Sequence, residues 1–223
     1  MDEKYTELSG RATGAGSTSV LEAAEFAVLD LETTGLDLKK DEIISIAIIP
    51  MTGFQVHFGK RFYSLVKPKR FHERSIKIHG ICLGDLEKAP TFEETCEKIF
   101  DMIHNRIVVG FNVIFDINFI KEGFKKIVKN QVNKNKYKKL DLRYVDIKEI
   151  EVWISRRTGA PTPCSLDLSD LIHKYQIEEV ARHNALSDAY ITARIFQNQL
   201  KVLSDFNITP NDLIQITRTS LIF

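Results

Sequence analysis

The stretch Phe26-Ala27-Val28-Leu29-Asp30-Leu31-Glu32-Thr33-Thr34-Gly35 decides the fold. Positions 26–31 are a short apolar run that closes in turn chemistry at Thr33-Thr34-Gly35, the pattern of a buried strand. Beyond it, an isoleucine-rich run over 42–50 reads as a second strand, and 61–66, ended by Pro68, as a third. From 92 to 104 the apolar spacing turns helical, 107–110 is strand-like again, and 113–128 is helical. A strand over 140–145 precedes helices over 147–157, 167–175 and 185–203. Early strands followed by alternating helix and strand predict an α/β fold with a central mixed five-stranded sheet flanked by helices.

Before this domain, Ser9 to Ser19 carries Gly10, Gly14 and Gly16 among small polar residues, with too little apolar surface to repay its ordering. The expected division is a mobile tail over 1–22, one catalytic-sized domain over 23–205, and an extension over 206–223. Composition agrees with a soluble globular chain: 223 residues, 43% apolar and 27% charged, exclude a disordered or fibrous protein. No apolar run approaches the ~18 residues of a membrane span, and no basic-then-apolar leader stands at the N-terminus, so no membrane partner is expected. Cys82, Cys96 and Cys164 are too scattered for a zinc site or a disulfide framework, and a cytoplasmic setting is the expectation.

The net charge of +1 says little, but its distribution is uneven. Lys125, Lys126, Lys129, Lys134, Lys136, Lys138, Lys139 and Arg143 crowd one segment, and Lys60, Arg61, Lys67, Lys69, Arg70 and Arg74 another. Either could track a phosphate backbone or be a solvated face.

The sharpest chemical signal is Asp30 and Glu32, two apart on an otherwise apolar strand and therefore on one face. Like charges brought together there call for protonation or for a divalent cation held by oxygen ligands; the bland alternative is a frayed strand end facing water. A third acid, Asp116, follows Phe111-Asn112-Val113-Ile114-Phe115 where strand gives way to helix, a place where an Asp also serves plain capping. Finally, Arg182-His183-Asn184-Ala185-Leu186-Ser187-Asp188 precedes a long apolar-periodic helix. Asn184 is a natural N-cap, which leaves His183 in the loop and puts Asp188 one turn into the helix.

In this order, Asp30-Leu31-Glu32-Thr33-Thr34-Gly35-Leu36, Asn112 with Phe115-Asp116, and His183-Asn184-Ala185-Leu186-Ser187-Asp188-Ala189 resemble the DEDDh (DnaQ-like) subfamily of 3′–5′ exonucleases, whose members include the proofreading epsilon subunit of bacterial DNA polymerase III. Ile78-His79-Gly80-Ile81 and Ala89-Pro90-Thr91-Phe92 add to the likeness, which spans 26–203. Phe111 departs from the His that relatives commonly carry before the Asn.

The resemblance implies an RNase H-like fold and two divalent ions, Mg²⁺ or Mn²⁺, held by Asp30, Glu32, Asp116 and Asp188. It implies His183 as the base that takes a proton from the attacking water, and Thr33, Thr34, Gly35, Leu36, His79, Asn112 and Phe115 around the terminal nucleotide. The implied function is removal of nucleoside monophosphates from single-stranded or frayed DNA 3′ ends, with an exoribonuclease on the same scaffold as the alternative and a non-catalytic binding module as a further rival. A DNA polymerase or sliding clamp is a possible partner, and the apolar end of the segment 213–223 could pack on the domain, pair subunits or dock on such a partner.

Overall fold

A computed structural model describes residues 17–71, 75–130, 135–161, 166–178 and 183–220. β1 (Glu25–Thr33) and β2 (Ile43–Thr52) pair antiparallel from Glu25 opposite Thr52 to Thr33 opposite Ile43, with an irregularity after Glu32. β3 (Gln55–Val56) and β4 (Phe62–Leu65) both pair antiparallel with β2, whereas β5 (Ile107–Gly110) lies parallel to β1 and β6 (Tyr144–Asp146) parallel to β5. The sheet order is β3-β2-β1-β5-β6 with β4 also on β2, the expected mixed sheet with one short strand added. The strand expected over 140–145 shrinks to three residues. Its partner β5 offers only four, so the exposed Asp141 and Arg143 precede the ladder.

β1 separates two cores by the alternation of its side chains. Phe26 and Val28 face α6 (Ile147–Thr158), α7 (Leu168–Tyr175), α8 (Ala185–Leu203) and α9 (Pro210–Ser220). Ala27, Leu29 and Leu31 face α4 (Phe92–Ile103) and α5 (Ile114–Asn130). The Phe26 and Phe196 rings meet edge to face at 5.1 Å, which fixes how α8 crosses the sheet. Asp30 and Glu32 continue the row of Phe26 and Val28, so both point to the α8 side, where the apolar packing stops.

Of the expected tail over 1–22, residues 1–16 lie outside the described residues, and 17–22 form the helix α1 (Ser17–Glu22), with Leu21 in the core. The extension over 206–223 contains α9, whose Leu213 and Ile214 are buried in the α8-side core. Residues 221–223 lie outside the described residues. Two one-turn helices, α2 (Ile76–His79) and α3 (Leu83–Leu86), fill the connection before α4. No helix among the described residues is long and apolar enough to cross a membrane.

Candidate active site

The carboxylates of Asp30, Glu32 and Asp188 converge, each offering an oxygen within 4.8 Å of the others. Two come from the end of β1. The third enters on the first turn of α8, whose start is set by Asn184: its side-chain oxygen accepts the amides of Leu186 at 3.1 Å and Ser187 at 3.3 Å, as the sequence predicts for an N-cap. Burial, and next the charge of Asp188, push Glu32 up to about 7. Asp116 stands beside this trio on the first turn of α5, with the Leu31 amide donating to it. Burial is the main force raising Asp116, and the charges of Asp146 and Glu32 raise it further.

Glu32 and Asp116 are both raised, and with Asp30 and Asp188 crowded beside them the acids form a site short of positive charge. An all-oxygen donor set suits a hard divalent cation, so these residues fit the metal that the sequence implies. Asp30, Glu32 and Asp188 would hold it, with Asp116 adjacent.

His183 is exposed and takes a left-handed backbone, φ 59°, while its amide donates to Asp188 Oδ2 at 3.0 Å. The loop that carries the imidazole is thus tied through its main chain to one of the acids. Arg182, its neighbour in sequence, lies outside the described residues.

The turn after β1 is organised by Asp41, a residue absent from the sequence reading. Thr34 Oγ1 donates to Asp41 Oδ1 at 3.0 Å, the Asp37 amide donates to Oδ2 at 2.9 Å, and the Glu42 amide donates to Thr34 Oγ1 at 3.0 Å. Thr33 Oγ1 donates to the Gly35 carbonyl at 2.7 Å. A Cβ on Gly35 would sit 2.5 Å from Asp41 Oδ2, so only glycine passes there. The turn projects Leu36, which is 82% exposed.

His79 ends α2. Its Nδ1 accepts the Ile81 amide at 3.0 Å, which puts the ring proton on Nε2; that atom is buried and lacks a partner among the described residues. Burial holds the ring below its usual range, and so neutral. Asn112 is exposed at φ 50°, Phe115 is half-buried against Phe119, and Phe111 packs into the α8-side core.

Asp146 is the other residue that sequence reasoning missed. It begins α6, and burial raises it to about 6 even though the amides of Lys148, Val113 and Asn112 stabilise its charge. An Asp before a helix signals a cap, which was legible; its reach to a loop 33 residues earlier was not.

The basic segments are partly committed. Lys136 pairs with Glu97 and Lys125 with Glu122, Lys67 Nζ donates to the Glu87 carbonyl, and Arg61 lies over the Phe58 ring. Arg74 and Lys134 lie outside the described residues. Lys121, Lys125 and Lys138 surround a crevice of about 260 Å³ floored by Phe124, Val128, Tyr137 and Leu140.

Several known proteins resemble this chain. Residues 27–196 match the exonuclease family model. DNA polymerase III subunit epsilon of Aquifex aeolicus is 31% identical over 194 residues, covering 81% of each chain. The PolC-type DNA polymerase III of Thermotoga petrophila is 29% identical over 192 residues, but those span 86% of this chain and only 13% of that polymerase. Exonuclease X in complex with 5′ overhanging duplex DNA superposes with a TM-score of 0.62 at 18% identity, over 86% of this chain and 99% of that one, which shows a shared RNase H-like fold. With the family model matching most of its length, the chain belongs to the exonuclease family.

Proposed function

We propose that this protein is a metal-dependent 3′–5′ exonuclease that releases nucleoside monophosphates from single-stranded or frayed DNA 3′ ends. The observation that carries the reading is the convergence of Asp30, Glu32 and Asp188, with Asp116 beside them, at the open end of β1. The likeness to an epsilon subunit over four-fifths of both chains favours DNA as substrate and a DNA polymerase as partner.

When bound, two divalent cations, Mg²⁺ or Mn²⁺, would neutralise charge at the phosphoryl oxygens and acidify the attacking water. Asp30, Glu32, Asp116 and Asp188 would hold them. His183 accepts a proton from the water as its oxygen bonds to phosphorus and the bond from phosphorus to the 3′ oxygen of the preceding nucleotide breaks. The turn from Thr33 to Leu36 holds the terminal nucleotide, Leu36 against its base, with His79 beside it. Asn112 and Phe115 border the same place.

Matched DNA and RNA oligonucleotides of one sequence test the substrate. Faster shortening of the DNA strand is expected; preference for RNA would reassign the protein as an exoribonuclease, since the four acids act on phosphate and not on the 2′-OH.

A further inference from the structure

Asp146 closes β6 with a buried carboxylate that the chemistry above leaves unused. Its Oδ2 accepts the Val113 amide at 3.0 Å, and the Asn112 amide turns to the same group. Asn112 is left-handed at φ 50°, and successive amides around such a residue converge into a small anion-holding concavity. The turn has little freedom otherwise. A Cβ on Gly110 would lie 2.7 Å from the Val113 side chain and 3.1 Å from the Leu29 carbonyl, so the chain passes close against β1. From this turn α5 starts directly: the Phe115 amide donates to the Asn112 carbonyl at 3.1 Å and the Ile117 amide to the Val113 carbonyl at 2.9 Å. Asp116 lies between them, so the turn's path decides where its carboxylate emerges. Asp146 is itself fixed on both sides, by its register opposite Gly110 on β5 and by its amide, which donates to the buried Thr217 Oγ1 of α9 at 3.0 Å.

We propose that Asp146 is a positioning residue of the active site: by gathering the amides of Asn112 and Val113 it sets the start of α5 and with it the place of Asp116 among the metal-holding acids. This rests on reading Asp116 as a metal ligand. Asp146 also caps α6, accepting the Lys148 amide on Oδ1 at 3.0 Å, and the two roles must be separated.

Asp146→Ser does so. Serine keeps a cap oxygen for Lys148 but is one bond too short to reach Val113; Asp146→Thr repeats the comparison in a second chain. Asp146→Asn removes the charge and keeps one oxygen, which serves the Val113 amide when the side-chain NH2 takes the Lys148 side and the cap is given up. For each full-length variant the melting temperature, the Mg²⁺ or Mn²⁺ concentration at half-maximal turnover, and kcat and KM on a single-stranded oligonucleotide are measured.

With Ser and Thr the melting temperature should stay near the parent's, while the half-saturating metal concentration rises by about 10- to 100-fold, the usual effect of losing a partner that orients a ligand. Asn should return it to within a few-fold of the parent. An unchanged metal requirement in folded Asp146→Ser, or an Asn variant as impaired as Ser, overturns the positioning role alone. A parent fully active in excess chelator overturns the metal reading and this role together.

Discussion

At Glu32 an apolar strand turns acidic while still half-buried, and the cost shows in its protonation. In the metal-free protein its pKa stands at about 7 against an ordinary 4.5. Between those values the folded state binds more protons than the unfolded one, so stability falls as pH rises through that window and stays reduced above it. Glu32→Gln in chelator should therefore melt higher than the parent above pH 7, the gap closing towards pH 4.5, while turnover is abolished. Calorimetric melting across pH checks this, and parallel curves for the two proteins would contradict it. His183 and Asp188 should fail differently. The contact from residue 183 to Asp188 is made by the main chain and survives truncation, so His183→Ala should lower kcat by roughly 10² to 10⁴ with metal affinity near the parent's. Asp188→Asn should weaken metal binding, with excess metal restoring some turnover. Equal loss of metal affinity in both, measured by titration calorimetry, would remove His183 from the role of base.

Elements differed in how openly the sequence showed them. α8 could be read to the residue, because Asn184 is a side-chain cap followed by long apolar periodicity. α9 carried signals of the same kind, Pro210 at its first position and Thr209 exchanging hydrogen bonds with Asp212, but its short buried set of Leu213, Ile214 and Thr217 hid beside the tip beyond it. α2 and α3 have one turn each, too few residues to show a period. The lysines on and after α5 divide between structural pairs and open charge. Lys125 also bonds Glu122 at the surface, a contact of small worth, and Lys126, Lys129 and Lys138 are exposed. If this face guides the strand, neutralising Lys125, Lys126, Lys129 and Lys138 should weaken oligonucleotide binding and flatten the slope of log affinity against log salt by up to ~0.7 per lost contact. An unchanged slope returns these lysines to ordinary solvated surface.

Across the whole molecule, β1 divides two apolar cores and carries its acids to the place where both end, with α5 arriving from one side and α8 from the other. That plan was legible because each ligand candidate sits in a local pattern: two acids at strand spacing, one after Phe115, one after a cap. What was hidden was the bracing. Asp41 shapes the turn at Thr34 and Gly35, and Asp146 reaches Val113 in the turn after the neighbouring strand β5, and neither contact leaves a local spacing in the chain. The central claim, that converging acids with bound metal cut a strand from its 3′ end, is tested most directly by one time course. A single-stranded DNA oligonucleotide labelled at its 5′ end is incubated with the full-length protein and Mg²⁺, with and without excess chelator. A ladder of progressively shorter labelled strands that the chelator abolishes is expected; an intact strand with metal present, loss of label as a mononucleotide from the 5′ end, or an unchanged ladder in chelator would overturn the proposed function.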